Sequence, residues 1–196
     1  MTQSKIVLAS TSSIRKILLA NSGLIFNVEP SPLDETEIKQ ANPTLSAKSL
    51  SILLAEQKAL ALNQPENLVI GTDQTLSCDN QIYSKAKTVA DLRHQLLQLR
   101  GNTHALSSSV ALAKNNHILW THCSESQLTM RQFSDQFLDH YIEHHGKTVL
   151  SSLGGYQLEA QGINLFEKIE GDYFAILGLP LLPLLAYLRQ ENYVNS

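Results

Sequence analysis

The chain is predicted to be an α/β protein, and three stretches carry that expectation. Lys5-Ile6-Val7-Leu8-Ala9 runs straight into Ser10-Thr11-Ser12-Ser13 and then Ile14-Arg15-Lys16-Ile17-Leu18-Leu19, which reads as a buried strand joined to a helix by a hydroxyl-rich turn. Leu68-Val69-Ile70-Gly71 is a continuous apolar run, the pattern of a strand covered on both faces. Residues 103–113 and 117–128 alternate as two long strands around Lys114-Asn115-Asn116, so an antiparallel hairpin sits inside an otherwise α/β chain. A length of 196 residues with 43% hydrophobic content suits a single domain over residues 1–196.

The elements follow in order. After the first helix, Ile25-Phe26-Asn27-Val28 alternates like a strand and empties into an acidic, proline-bounded loop, Glu29-Pro30-Ser31-Pro32-Leu33-Asp34-Glu35. Ser46 is the expected cap of a helix with Leu50, Leu53, Leu54 and Ala61 at helical spacing, which carries Glu56 and Lys58 and ends before Pro65. The strand from Leu68 is expected to terminate at Thr72-Asp73-Gln74, with Asp73 at its carboxyl end. Ligands of open α/β sheets bind outside such ends, so Asp73 and the turn at residues 10–13 would face one crevice if their strands are parallel. A turn or cap aspartate is the alternative.

Cys78-Asp79-Asn80-Gln81 reads as a hairpin turn that returns through Ile82-Tyr83 to Ser84-Lys85-Ala86, bringing Lys85 back toward Asp73. Val89, Leu92, Leu96 and Leu99 stripe a helix that stops at Gly101. Ser134-Asp135 opens another, with Phe137, Leu138, Tyr141 and Ile142 apolar. Gly154-Gly155 then precedes an expected strand at residues 156–160, and Pro180 starts the final helix.

A formal charge of −3 offers no electrostatic attraction for a nucleic-acid polymer or an anionic membrane, but leaves room for a small anion in a local basic pocket. Cys78 and Cys123 lack metal or disulfide spacing. The polar start Met1-Thr2-Gln3-Ser4, followed by an apolar run too short for a signal peptide, and the lack of any membrane-length apolar segment predict a cytoplasmic protein. The seven histidines are scattered, and the adjacent His144 and His145 point in different directions on a helix, which argues against a histidine metal pair. No serine-nucleophile elbow, P-loop or dinucleotide fingerprint occurs. At residues 10–13 the serines at a helix entrance would satisfy free N–H groups, with the helix dipole and Arg15 beside them. That set is either an anion cradle or an ordinary cap with two surface cations.

Taken in order, these residues resemble the Maf family of nucleoside triphosphate pyrophosphatases, whose first motif is close to L-A-S-x-S-P-x-R-R-x-x-L-L. Here it reads Leu8-Ala9-Ser10-Thr11-Ser12-Ser13-Ile14-Arg15-Lys16-Ile17-Leu18-Leu19. The resemblance continues through Asp34-Glu35, Lys58-Ala59, Gly71-Thr72-Asp73-Gln74, Lys85, Arg100-Gly101-Asn102-Thr103-His104, Gly155-Tyr156, Gly171-Asp172-Tyr173 and Gly178-Leu179-Pro180-Leu181, nearly the whole chain. It implies an elongated mixed β-sheet flanked by helices, two lobes with a central cleft, and commonly a homodimer. It also implies hydrolysis between the α and β phosphates with a divalent cation, Mg²⁺ or Mn²⁺. By the same resemblance Ser10 and Arg15 would hold phosphate, Lys58 and Lys85 would neutralise the triphosphate, and Asp73 would be general base or metal ligand, joined at the metal by Glu35.

The chemistry is consistent, because cations relieve the repulsion between a triphosphate and an incoming hydroxide while a carboxylate orients the water. The chain departs from the pattern at Ser13, where proline is usual, at Ser84-Lys85-Ala86 in place of Gly-Lys-Pro, and at Ser108-Ser109-Val110 in place of Thr-Gly-Val. Base choice in the family tracks three positions, here Ile14, Gln74 and Glu159. Gln74 and Glu159 resemble the 7-methyl-GTP branch, although that branch has tryptophan where Ile14 stands. A carboxylate can accept from both N1–H and the exocyclic amine of guanine, which favours a guanine-type base. Two other functions use the same pocket: a nucleotide-binding regulator of cell division with little catalysis, and a phosphatase releasing terminal orthophosphate.

Overall fold

The computed structural model describes residues 5–62 and 66–194. Along the chain run β1 (Ile6–Leu8), α1 (Ser13–Asn21), β2 (Asn27–Val28), α2 (Glu35–Ala41), α3 (Ala47–Ala61) and β3 (Leu68–Cys78). Next come β4 (Gln81–Tyr83), α4 (Val89–Leu99), β5 (Thr103–Lys114), β6 (His117–Met130) and α5 (Asp135–Val149). After two 3₁₀ turns, β7 (Phe166–Glu170), α6 (Tyr173–Ile176) and α7 (Leu181–Gln190) complete the chain. Pro65 and the polar start at residues 1–4, both used in the sequence reading, lie outside the described residues. No described helix is long and apolar enough to cross a membrane.

The chain forms two compact units, each assembled from separated segments. Among the described residues, the first comprises 5–62, 66–74, 107–124 and 172–194. Its strands are ordered β2-β1-β3-β5-β6, and β1 pairs in parallel with both β2 and β3, in the register Ile6↔Leu68, Val7↔Val69 and Leu8↔Ile70. Strand alternation sorts the side chains. Ile6, Leu8, Leu68 and Ile70 point to one face, where Leu18, Leu19, Leu181, Leu184 and Leu188 of α1 and α7 cover them. Ala9 and Val69 join Ala111 and Ala113 against Ala55 and Ala59 of α3 on the other. This second face is built almost wholly from small residues, so α3 approaches the sheet closely. Gly71 marks the tightest point, because a Cβ there would collide with the Ala55 carbonyl and lie 2.6 Å from the Ala59 nitrogen.

We expect Gly71→Ala to push α3 away from β3 and destabilise the protein by about 1–3 kcal/mol, the usual penalty for overpacking a filled core. Thermal unfolding checks this; an unchanged Tm would mean that the seam can yield.

The second unit, residues 75–106 and 125–171, orders its strands β4-β3-β5-β6-β7. The expected hairpin turn is present: β3 pairs antiparallel with β4, and Asp79 and Asn80 both take the left-handed conformation at φ 49° and 62°. Asn115 and Asn116, at φ 51° and 61°, turn β5 into β6 in the same way. Thr88 and Asp91 cap α4 reciprocally. Leu92, Leu96, Leu99, Leu138, Tyr141 and Leu165 lie among the buried side chains of this unit.

Three expectations need correction. The strand from Leu68 does not stop at Asp73 but continues to Cys78, so Asp73 lies mid-strand. Glu35 is not in a loop: Asp34 accepts the Thr36 N–H at 2.8 Å and caps α2, of which Glu35 is the first residue. Residues 156–160 form no strand. Gly154 and Gly155 take φ 79° and 73°, Tyr156 and Leu158 both turn inward, and the Ala160 N–H bonds back to the Gln157 carbonyl at 3.2 Å, closing a turn. The strand comes later, as β7, antiparallel to β6.

Candidate active site

The first unit gathers Ser10, Arg15, Glu35, Lys58 and Asp73 around the end of β1. β1 stops at Leu8, opposite Ile70, while β3 continues; Asp73 therefore stands three residues beyond its last partner on β1. The two strands are parallel, as the crevice expectation required, but it is β1 that ends beside Asp73 and not β3.

Asp73 shares the sheet face of Val69 and Gly71, the face of the small-residue seam. Lys58, from the last turn of α3, crosses to it with Nζ 2.7 Å from Asp73 Oδ1 and 2.6 Å from Glu35 Oε1. One ammonium thus bridges two carboxylates from two elements. Asp73 is 5% exposed. Burial raises its pKa and the neighbouring Glu35 adds to that, against the pull of Lys58 and Arg15. Glu35 behaves oppositely. Burial raises its pKa, but the charge and hydrogen bond of Lys58, helped by Lys39 at 3.1 Å, outweigh it and hold the carboxyl at about 2.

Arg15 is turned inward. Its Nε donates to the Gly178 carbonyl at 2.7 Å, and its Nη1 donates to Ser10 Oγ at 3.4 Å and to the Thr72 carbonyl at 3.3 Å. The guanidinium ties the turn after β1 to β3 and to the segment after α6. Burial lowers its pKa, opposed by the Asp73 and Glu35 charges. Gly178 permits the contact: at φ 98° it suits glycine, and a Cβ there would sit 3.1 Å from Arg15 Nε. The serines do not cap α1 as expected. Ser12 is the N-cap residue yet makes no side-chain cap bond, and its own N–H donates to Ser10 Oγ at 3.2 Å. The first-turn N–H groups and the positive helix end therefore lack the usual side-chain acceptor.

Gln74 is committed to structure through its amide nitrogen, which donates to Ser108 Oγ at 2.8 Å and to the Ala175 and Ile176 carbonyls at 3.2 and 3.0 Å. Ile14 is half-buried against the core of the first unit. Lys85 and Glu159 belong to the second unit, both exposed, Lys85 in the connection after β4 and Glu159 in the turn that replaces the expected strand. His104, matched to the family pattern, is a core residue of that unit. It is 1% exposed, has Nε2 2.7 Å from the Tyr156 hydroxyl, and burial holds its pKa down to about 4.

Sequence reasoning missed the backbone acceptors at Gly178, Thr72, Ala175 and Ile176, for which side-chain identity gives no signal. It also missed Lys39, whose signal was legible: Glu35 and Lys39 are an i,i+4 pair once α2 is recognised.

The Maf-like protein family matches residues 5–191. Among curated relatives, a 7-methyl-GTP pyrophosphatase of Rhizobium etli is 43% identical over 196 residues, covering 98% of each chain. A nucleoside triphosphate pyrophosphatase of Bradyrhizobium diazoefficiens is 46% identical over 194 residues, covering 98% of this chain and 96% of the relative. A 7-methyl-GTP pyrophosphatase of Brucella abortus is 43% identical over 196 residues. A family match over almost the full length of the sequence, together with relatives 43–46% identical over nearly the whole of both chains, identifies this chain as a member of the Maf-like protein family.

Proposed function

We infer that this chain is a nucleoside triphosphate pyrophosphatase, a hydrolase that cleaves the α–β phosphoanhydride to give nucleoside monophosphate and pyrophosphate, and that guanine-type nucleotides, including 7-methylated ones, are its substrates. The carrying observation is the Glu35–Lys58–Asp73 bridge, two carboxylates held on one cation. Full-length relatives named for 7-methyl-GTP and for nucleoside triphosphates support the substrate class.

The donor set fits a hard divalent cation, since Glu35 and Asp73 offer oxygens that converge on one position, now taken by Lys58 Nζ. Glu35 and Asp73 would hold Mg²⁺ or Mn²⁺, which when bound neutralises phosphate charge. The remaining work belongs to the protein. Asp73, whose basicity burial raises, accepts the proton of the attacking water. Lys58 turns its charge toward the phosphates. The α1 N-terminus receives phosphate oxygens on its N–H groups, and Arg15 keeps Ser10 and that turn in place. Lys85 as a further phosphate cation, Glu159 as a guanine reader, homodimer assembly and a cytoplasmic location complete this reading on the family resemblance.

Product identity tests it. With Mg²⁺ or Mn²⁺ we expect GTP and 7-methyl-GTP to yield pyrophosphate plus monophosphate, faster than dTTP or UTP, with Glu159→Gln eroding the purine preference. Orthophosphate alone would overturn the cleavage position, and binding without turnover would favour a regulatory protein.

A further inference from the structure

The histidine pair that sequence reading dismissed exists, but between other partners. His144 and His145 do diverge, since His145 packs its ring 5.4 Å from that of buried Tyr141. His144 instead lies one turn beyond His140, with ring centroids 4.1 Å apart, on the outer face of α5. Glu143 stands between them in sequence. One ligand atom from each of His140, Glu143 and His144 falls within 4.8 Å of the others, and all three residues are exposed.

We propose that His140, Glu143 and His144 form a second metal site, separate from the carboxylate pair of the first unit and selective for a late first-row divalent ion such as Zn²⁺. Two imidazoles and one carboxylate are the donors such ions prefer, whereas Mg²⁺ takes oxygen ligands and keeps its waters. Ligands at about 2.0–2.2 Å around a tetrahedral ion lie about 3.3 Å apart, so modest side-chain rotations close the set.

A further bond prepares one ligand. His144 Nδ1 is 2.9 Å from the His140 carbonyl, which can only accept; Nδ1 therefore carries the hydrogen, and in the neutral ring the lone pair sits on Nε2. Metal-bound histidines characteristically donate their other N–H to a carbonyl or carboxylate in this way. Asp139, the nearest other acid in sequence, is held by Arg93 Nε at 3.0 Å. His140 and Glu143 also line an open depression with Ser134, Gln136, Phe137 and the Arg93-paired Asp139, so an ion would keep a position for water or an outside ligand. All three ligands come from one 15-residue helix, so the site needs no other element to form.

The test is a Zn²⁺ titration of the full chain against a chromophoric chelator, on wild type, His140→Ala, His144→Ala, His117→Ala and Asp73→Asn. An outer-shell partner of a metal ligand is worth about 10- to 100-fold in affinity, so losing a ligand should cost at least tenfold. With millimolar Mg²⁺ present to fill the carboxylate pair, we expect one Zn²⁺ per chain, at least tenfold weaker binding in His140→Ala and in His144→Ala, and unchanged binding in His117→Ala and Asp73→Asn. Bound Zn²⁺ should also raise the Tm of wild type but not of His144→Ala. Binding that survives both α5 substitutions, is abolished by Asp73→Asn, or saturates at one ion per two chains would overturn the site. Loss of the α5 site would leave the cleavage reading standing, because that reading is tested by product identity.

Discussion

Asp73→Asn should lower kcat by about 10²- to 10⁴-fold, the range for loss of a general base, and leave the protein folded. The isosteric amide keeps the packing of the seam but can neither take a proton from water nor offer an anionic ligand. Stability should not fall with activity. The ordinary aspartate pKa is 3.8 and folding raises it, so the folded state favours the protonated carboxyl. That contribution is fully present below pH 3.8 and is lost as pH rises through the folded pKa, so ionisation of the side chain opposes folding. An uncharged replacement relieves this opposition while Lys58 keeps Glu35 as partner. We therefore expect a Tm equal to or above that of wild type. A collapsed Tm would make Asp73 a structural anchor; retained turnover would remove it from the chemistry.

Lys58→Met should damage both properties. Removing one partner from a buried ion pair costs about 3–5 kcal/mol because the other charge is left uncompensated. Here two carboxylates lose a shared cation. Loss of one electrostatic contact in the transition state typically costs a further 10²- to 10³-fold in kcat. The pH dependence identifies the mechanism. In wild type the Glu35 pKa is depressed from 4.5 to about 2, so its contribution is present above pH 4.5 and lost as pH falls through about 2. In the variant neither carboxylate has Lys58, and both titrate upward through burial and mutual repulsion. Acidification from pH 7 toward 5 should therefore recover part of the lost stability more steeply than in wild type, where Lys58 holds Glu35 ionised across that range and only the raised Asp73 carboxyl responds. Urea unfolding of both proteins at several pH values measures this, and parallel curves would contradict it.

Much of the fold was legible because burial writes a period into the sequence. The runs at β1 and the start of β3, and the stripes of α3, α4 and α5, are covered by neighbours and therefore apolar at regular spacing. Elements without that imprint were misread. α2 buries no residue, so nothing periodic betrays it among prolines and acids. β3 continues through Thr72, Asp73 and Thr75, all buried, where polar side chains mimic a strand end. Residues 156–160 alternate like a strand, yet left-handed Gly154 and Gly155 turn the backbone before it can extend. Lys58 and Asp73 could be singled out in the sequence through the family resemblance, but their contact depends on Gly71 facing Ala55 and Ala59, a fit visible only in three dimensions.

The two carboxylates that share Lys58 sit on elements of very different permanence. Asp73 is fixed in the middle of an 11-residue strand, with Thr72 before it and Thr75 after it both buried. Such backbone exchanges its amides only when most of the unit opens. Glu35 begins a seven-residue helix that contributes no buried side chain, the kind of segment that frays at little free-energy cost. Asp73 is therefore the stationary jaw of the pair and Glu35 the hinged one: α2 can shift its carboxylate without disturbing the strand that holds Asp73.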